Sequence, residues 1–395
     1  MNPSKRFISR YGKLLVMLTL AIGCATHGAN SANTVSPLIP DATSIDAEAK
    51  RLMKREHVQG MALAVIDSGR IVHVAAYGYR NVARDLPLTT STIMYGASLT
   101  KSAFTYMLMQ LVDENRFDLD ASVADLLPHP LPAYNSKDWD YTALAGDPRW
   151  RLLTPRILLT NSSGFAKFRW LEPDKKLRFH FTPGTRYAYS GEGFYILQLI
   201  VEQGLKFDVG KEMQTRVFDR LAMTNTSMTW RPDFANDLAD GYALDGSMEP
   251  HDERSSVSAA GSMDTSIEDQ ARLWSAIVSG AGLSNASRAE MFRPQLKITS
   301  AHEFPSLAPE TNPNDKEIGL AAGLGLVTFQ DASGPAFFKA GHNDWTGNMV
   351  LCLRSEKRCV VMLANDVRAE RMYPELVRFV FGETRMPWHW EYERL

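Results

Sequence analysis

An α+β fold with one antiparallel sheet is predicted by three features: a β-hairpin near each end of the chain, a helix beside each hairpin, and helix-compatible sequence between them. The first hairpin spans residues 61–66 and 71–77 across the turn Asp67-Ser68-Gly69-Arg70. The second spans residues 350–363. Strands from both ends of the chain would therefore share one sheet, and the middle would form an inserted, mostly helical lobe.

Flanking helices are expected at residues 44–56, before the first hairpin, and at residues 368–381, after the second. Residues 102–112 also favour a helix, and this one is hydrophobic on nearly every side. A helix of that kind is buried within a domain. We therefore place it at the seam between the sheet and the helical lobe.

The tetrapeptide Ser98-Leu99-Thr100-Lys101 opens this buried helix. Ser98 and Lys101 are three positions apart and so share one helix face. The helix N-terminus adds unpaired N–H groups and a partial positive charge. A nucleophile, an amine to activate it and donors for an oxyanion would thus meet, which is the equipment for acyl transfer. The alternative is a capping residue followed by an exposed lysine, since chance supplies about one Ser-x-x-Lys in such a chain.

The composition is that of an ordinary globular protein, with 395 residues, 45% hydrophobic and 22% charged, and a formal net charge of −2. The chain has no basic stripe, so no nucleic-acid partner is expected. It also lacks His-Glu-x-x-His, Cys-x-x-Cys and phosphate-loop motifs, so neither a metal nor a cofactor is expected.

The N-terminus has the pattern of a secretory signal, with four cations before the short apolar stretch 14–23. Cys24 after Ala21-Ile22-Gly23 is similar to the acylated cysteine of a bacterial lipoprotein signal, and conventional cleavage near residues 29–32 is the alternative. We predict an exported protein, periplasmic or lipid-anchored at Cys24, with a signal over 1–24, a tether over 25–43 and a single two-lobed domain over 44–395.

Two further cysteines, Cys352 and Cys359, lie in the two strands of the second hairpin. Antiparallel pairing about a turn at Ser355-Glu356 would set them opposite each other, within reach of a disulfide. A change of register by one residue would instead leave two free thiols packed as small hydrophobic groups. Both possibilities stay open at the level of sequence.

Two long stretches lack a clear period. Residues 129–150 are rich in Pro, Asp, Trp and Tyr, and would form either a lid over the site or a surface excursion. Residues 168–181 mix Trp with Lys and Arg and would line a substrate groove.

Taken in order, the motifs resemble the serine β-lactamase and penicillin-binding-protein superfamily, in its class C and esterase branch. The resemblance implies a β-lactamase/transpeptidase-like fold and covers most of the chain after the signal. The matching segments are Gly78 with Thr89-Thr90-Ser91-Thr92, Ser98-Leu99-Thr100-Lys101, Asp118-Leu119-Asp120 to Leu127-Pro128, Leu158-Leu159-Thr160-Asn161-Ser162-Ser163-Gly164-Phe165, Phe181-Thr182-Pro183-Gly184-Thr185 with Tyr187-Ala188-Tyr189-Ser190, and Ala260-Gly261-Ser262-Met263-Asp264-Thr265 with Asp269.

The resemblance gives Tyr189 the position of the family's tyrosine. Ser98 would be the nucleophile and Lys101, with its pKa lowered by burial, would activate it. Tyr189, with its phenol pKa lowered by the adjacent ammonium, would be the base in acylation and would help to protonate the leaving group.

The family's third motif, Lys-Thr-Gly or His-x-Gly on a strand, has two candidates here. Lys339-Ala340-Gly341 imitates the first form, whereas His342-Asn343-Asp344 has the better spacing to the next strand and is preferred. In that register the N–H of Trp345 would join that of Ser98 in the oxyanion hole.

The second motif also departs from the family, because Gly191 and Glu192 follow Tyr189-Ser190 where Tyr-x-Asn is expected. We assign Gly191, Glu192 and His342 to substrate binding. Loss of that Asn, and His in place of Lys, both weaken recognition of a penicillin-type substrate.

We therefore predict an exported serine hydrolase that acts on a small ester, amide or peptide through an acyl-serine, esterase-like or specific for D-amino-acid peptides. A β-lactamase or D,D-carboxypeptidase is the alternative within the same chemistry. A catalytically silent sensor of cell-wall fragments or penicillin is the alternative from another class.

Overall fold

The computed structural model describes residues 38–312 and 317–392. Its strands, in chain order from β1, are Gly60–Asp67, Arg70–Asn81, Leu86–Pro87, Met94–Tyr95, Gly241–Tyr242, Met248–Glu249, Asp264–Thr265, Leu296–Lys297, Ala321–Ala322, Val327–Asp331, Gly334–His342, Gly347–Leu353 and Arg358–Ala364. Nine of these strands form an antiparallel sheet in the order β3-β2-β1-β13-β12-β11-β10-β9-β8.

The helices lie before, within and after this set of strands. In chain order from α1 they are Ala42–Glu56, Leu99–Asp113, Val123–Leu126, Pro155–Leu159, Gly191–Leu199, Val209–Met213, Ile267–Ser279, Asn285–Phe292, Tyr373–Phe381 and Trp388–Glu391. No helix in residues 38–312 and 317–392 is long and apolar enough to cross a membrane.

Strand β1 pairs with β2 on one side and with β13 on the other, so that the two ends of the chain meet in the centre of the sheet. Alternate side chains of β1 point to opposite faces. Ala62 and Ala64 pack into a core with α2 and α7, whereas Leu63 and Val65 pack into a second core with α1 and α9. The prediction of an α+β fold with a sheet built from both chain ends is confirmed.

The second hairpin sets Cys352 opposite Cys359 in the register of β12 and β13, and a disulfide joins them. The structure therefore shows the bridged alternative. At the other end, helix α1 begins at Ala42, capped by the Asp41 side chain, so the helix starts two residues before the predicted 44 and within the predicted tether. The predictions about the signal and Cys24 lie outside the described residues.

The stretch 129–150 is not a lid over the site. It is built of short 3₁₀ turns, and four of its large side chains are buried in the core of the helical lobe: Leu131, Tyr141, Leu144 and Trp150. Burial of these apolar groups holds the segment to the lobe.

Candidate active site

Ser98 lies at the N-terminus of α2, half-buried, where the helix enters the core. Two contacts from the segment before β7 fix this helix start: Gly96 N donates to Met263 O at 2.8 Å, and Met263 N donates to Thr100 Oγ1 at 3.1 Å. Ala97, just before Ser98, has a positive φ of 46°. Such a conformation is costly for a residue with a Cβ and persists only where the surroundings enforce it.

Lys101 is 1% exposed, one helical turn beyond Ser98. Its Nζ donates to Ser98 Oγ at 3.1 Å and to the carbonyl oxygen of Ala260 at 2.5 Å. Burial, reinforced by the nearby charges of Lys339 and Lys167, lowers the pKa of Lys101 well below its usual 10.5. A neutral amine at this position is able to accept the proton of Ser98.

Tyr189 reaches the same hydroxyl from the loop that precedes α5, and its phenol donates to Ser98 Oγ at 2.5 Å. Asn161 holds this loop on both sides of the tyrosine, because its carbonyl accepts from Ala188 N at 2.7 Å and its Oδ1 accepts from Ser190 N at 3.1 Å. Two of the segments that resemble the family therefore position side chains against Ser98. The segment with Asn161 positions Tyr189, and the segment with Ala260 positions Lys101.

The expectation that the Tyr189 phenol has a lowered pKa is corrected by its surroundings. Burial, with the charge of Glu303 as the next cause, raises the pKa of Tyr189 well above 10.0. Lys101 is itself buried and its pKa is lowered, so it brings little positive charge to the phenol. The phenol of Tyr189 therefore stays protonated and donates to Ser98 Oγ, and Lys101 is the better proton acceptor of the two.

The third motif also differs from the preferred register. Lys339 is 6% exposed, its Nζ lies 5.2 Å from the centre of the Tyr189 ring, and Gly341 lies against the backbone of Ser98. Lys339-Ala340-Gly341 thus occupies the position beside Ser98. His342 lies at the end of β11 and lines the cavity at its rim, where its ring contacts Phe304.

Trp345 does not supply an oxyanion donor, because its N–H donates to Asn343 Oδ1 at 2.9 Å within the turn between β11 and β12. Trp345 also does not line the cavity that contains Ser98, so the geometry does not support the oxyanion role expected from the His342 register. Spacing to the next strand did not show which residues of β11 lie beside Ser98. Strand β11 continues to His342, but β10 pairs with it only as far as Phe338.

Gly191 and Glu192 do not line the cavity that contains Ser98. Glu192 is fully buried, and its carboxylate binds the guanidinium of Arg169 at 2.6 Å and accepts from Arg169 N at 2.7 Å. Gly191 packs against the ring of Phe168. Both residues therefore support the segment that carries Phe168, rather than meeting a substrate directly.

Ser98 opens into a cavity of about 490 Å³. The predicted groove segment contributes Phe168, Trp170 and Leu171, and the last two are half or more exposed at the mouth. The cavity also contains charged residues that the sequence analysis missed: Lys167, Arg254, Glu303 and Glu391. Lys167 follows a matched motif by two positions, but the other three lie in segments with no motif or spacing that connects them to Ser98.

Comparisons with known proteins agree with the fold and with these motifs. Residues 45–381 match the sequence model of the Beta-lactamase family. An N-acetylmuramyl-L-alanine amidase of Bacillus subtilis (strain 168) is 23% identical over 433 residues, which cover 94% of each protein. A D-aminopeptidase of Gluconobacter oxydans (strain 621H) is 27% identical over 217 residues, covering 52% of this chain and 39% of that protein.

Protein flp of Staphylococcus aureus (strain MRSA252) is 24% identical over 218 residues, which cover 51% of this chain and 41% of flp. The chain thus spans about two fifths of the length of flp. Among solved structures, the D-alanine carboxypeptidase AmpC of Burkholderia cenocepacia superposes with a TM-score of 0.64 at 18% identity, covering 82% of this chain and 95% of that one. With a family match over most of its length, this chain belongs to the Beta-lactamase family.

Proposed function

We propose that this protein is a serine hydrolase that cleaves a small ester, amide or D-amino-acid peptide through an acyl-enzyme on Ser98. One observation carries the proposal: Ser98 Oγ accepts hydrogen bonds from both Lys101 Nζ, at 3.1 Å, and Tyr189 OH, at 2.5 Å. A hydroxyl between a buried amine and a phenol has a base for its own proton and a donor for the departing group.

In the first step, neutral Lys101 takes the proton of Ser98 as Oγ attacks the substrate carbonyl carbon. The carbonyl π-bond electrons move to oxygen and give a tetrahedral oxyanion. The N–H of Ser98, at the start of α2, is one donor for it. The other is the N–H of His342. Asn343 N donates to Thr346 O within the turn, and successive N–H groups of an antiparallel strand alternate in direction. The N–H of His342 therefore points away from β12.

In the second step the oxyanion collapses and the bond to the leaving group breaks. Tyr189 donates its proton to that group and regains one from the Lys101 ammonium, which leaves the amine neutral again. Water then attacks the acyl carbon and gives a proton to neutral Lys101, which forms a second tetrahedral oxyanion. This oxyanion collapses, the bond between the acyl carbon and Ser98 Oγ breaks, and Oγ regains a proton from the Lys101 ammonium as the acid product leaves.

The substrate class follows from the lining of the cavity. Trp170 and Leu171 at the mouth present exposed apolar surface, which suits an uncharged acyl or leaving group. The amidase and the D-aminopeptidase to which the chain is similar support amide and peptide cleavage as well as ester cleavage.

A D,D-carboxypeptidase or penicillin-recognising activity is the second candidate. Lys339 lines the cavity beside Tyr189, and an ammonium there is suited to a substrate carboxylate. One sequence-based argument against a penicillin-recognising activity was that a histidine replaces the lysine of the third motif. That argument no longer applies, because Lys339 lies in this position. Catalytic silence is disfavoured because Lys101 and Tyr189 both contact Ser98.

The test is covalent labelling of the purified protein with a fluorophosphonate and with a fluorescent penicillin, followed by mass spectrometry. We expect one adduct, on Ser98, and none in Ser98→Ala, whereas Ser136→Ala at the surface labels as wild type does. Equal labelling of wild type and Ser98→Ala would refute the proposal. Turnover of p-nitrophenyl esters, D-Ala-D-Ala peptides and a chromogenic β-lactam then separates the candidates, and labelling without any turnover would favour the sensor.

We also propose that the protein is exported. The Cys352–Cys359 disulfide supports this, since such bonds persist in oxidising compartments. Cell fractionation with thiol trapping is the test. Recovery of the protein from the cytoplasm with free thiols would contradict it.

A further inference from the structure

A second cleft, of about 870 Å³, adjoins the cavity of Ser98. The two spaces share part of their walls, including Lys167, Phe304, His342 and Glu391. The ring of Phe304 packs edge-on against Tyr189 at 5.2 Å and against His342 at 5.5 Å, and so separates the two spaces. A substrate bound at Ser98 therefore has room to extend past Phe304 and His342.

Two residues in the wall of this second cleft carry buried polar atoms without a hydrogen-bond partner among the described residues: Glu391 Oε1 and Tyr392 OH. Glu370 Oε1, in the same wall, lies 3.4 Å from His342 Nδ1. Glu391 and Tyr392 are only 5% and 6% exposed. Buried polar atoms are normally satisfied, so two unsatisfied ones side by side in the wall of a cleft favour a ligand site there. Both are oxygens that can accept, and a ligand with N–H donors would satisfy them.

The charge of the cleft specifies the ligand further. Its walls carry four carboxylates, those of Asp245, Asp344, Glu370 and Glu391, against two cations, those of Lys167 and Arg371. Aromatic rings complete the walls: Phe304, Trp345, Trp390 and Tyr392. Ring faces with carboxylates between them attract organic cations. One such contact already exists, since Lys167 Nζ lies 4.4 Å from the centre of the Phe304 ring.

We propose that this cleft is a substrate subsite for a primary ammonium group, held by Glu391 and Glu370 while the scissile carbonyl lies at Ser98. The assignment rests on the proposed function. It narrows the proposed substrate class to compounds that carry a free amine at about the length of one side chain from the bond that is cleaved.

The electrostatics of the cleft agree with this assignment. Burial and the neighbouring charge of Glu303 raise the pKa of Glu391 well above 4.5, and the charge of Lys339 opposes this only in part. An ammonium ligand would add a second opposite charge beside this buried carboxyl. Its arrival therefore favours ionisation of Glu391 and forms a charge-assisted hydrogen bond.

The probes are hexylammonium and 1-hexanol, which are similar in length and differ in charge. Binding is measured by the fluorescence of Trp345 and Trp390, which line the cleft, in the wild type and in Ser98→Ala. We expect hexylammonium to bind at least about tenfold more tightly than hexanol, the range that an ammonium gains from carboxylate and ring contacts. We also expect it to inhibit ester hydrolysis competitively.

The variants are Glu391→Gln and Glu370→Gln, each of which removes a group that can carry a negative charge, with little change of shape. Each should lower the preference for hexylammonium over hexanol by about tenfold, the size of one lost charge-assisted contact. The matched control is Glu383→Gln, whose side chain is 85% exposed and lines neither space, and it should keep the wild-type ratio. Because Glu391 is deeply buried, the folded state of each variant is checked by thermal unfolding, and Glu370→Gln provides the test if Glu391→Gln does not fold.

Absence of a preference for hexylammonium, a preference that survives in both glutamate variants, or non-competitive inhibition would overturn the subsite. These outcomes are distinct from failure of the proposed function. If esters are not hydrolysed but hexylammonium binds as expected, the subsite stands and the hydrolase does not. If hydrolysis depends on Ser98 but the ammonium has no advantage, the hydrolase stands and the subsite does not.

Discussion

Gly341 on strand β11 lies so close to Ser98 that a Cβ on it would come within 2.9 Å of the backbone nitrogens of both Ser98 and Leu99. Only a residue without a side chain permits this approach. The contact sets the distance between the start of α2 and the C-terminal end of β11, and therefore between the two N–H groups proposed to hold the oxyanion.

Replacement Gly341→Ala should push β11 away from Ser98. We expect kcat for ester hydrolysis to fall by about 10²-fold, the loss typical for one misplaced oxyanion donor, with a smaller change in KM. The control is Gly146→Ala, since nothing lies within 4 Å of a Cβ built at that position. Equal rates for the two alanine variants would show that the close approach is not needed.

Lys101→Met should lower kcat/KM by about 10³-fold, because it removes the base and keeps the length of the side chain. In the wild type, the lowered pKa of Lys101 places the acid limb of kcat/KM well below pH 10.5, and activity is lost as pH falls through that pKa. The measurement is the pH profile of ester hydrolysis. A Lys101→Met enzyme with near-normal turnover would remove Lys101 from the mechanism.

The same lysine makes stability depend on pH. Between the lowered pKa of folded Lys101 and the usual 10.5, the unfolded chain binds a proton that the folded protein does not, so the free energy of unfolding rises with pH across that window. Lys101→Met should flatten this rise, whereas Lys54→Met on the exposed side of α1 should leave it unchanged. Denaturant unfolding at several pH values checks it, and identical curves for wild type and Lys101→Met would contradict it.

Tyr189→Phe should slow the cleavage of alkyl esters and amides by about 10²-fold, because the leaving group loses its proton donor. For p-nitrophenyl esters the loss should be smaller, since that leaving group departs as a stable anion. The comparison of the two substrates is the measurement, with Tyr79→Phe on exposed β2 as the control. An equal loss for both substrates would assign Tyr189 a role other than proton donation.

The disulfide joins β12 to β13 with both cysteines fully buried. Replacing both with alanine should lower the free energy of unfolding by about 2 kcal/mol, as expected for a bond that closes a short loop. Dithiothreitol should lower the Tm of the wild type and leave that of the double variant unchanged. A Tm of the wild type that does not respond to the reductant would show that the bond does not form in solution.

The proximity of the hydroxyl and the amine in the site could be predicted from the order of residues in the chain. Ser98 and Lys101 lie on the same helix, so helical geometry alone fixes their spacing. The hairpins at the two chain ends predicted the sheet, because alternation and turn residues are local signals. The register of one of those hairpins then placed Cys352 opposite Cys359.

What the sequence by itself determined is therefore the fold class and the placement of the Lys101 amine beside the Ser98 hydroxyl, since each depends on residues close together in the chain. Only the tertiary structure decided that Lys339-Ala340-Gly341 borders Ser98, that Glu192 is held by Arg169, and that the pKa of Tyr189 is raised. Each of these depends on burial and on contacts between distant segments. Glu303 and Glu391 show this most clearly, because one lies in a loop and the other at the end of α10, and they meet only when the chain folds around the cleft.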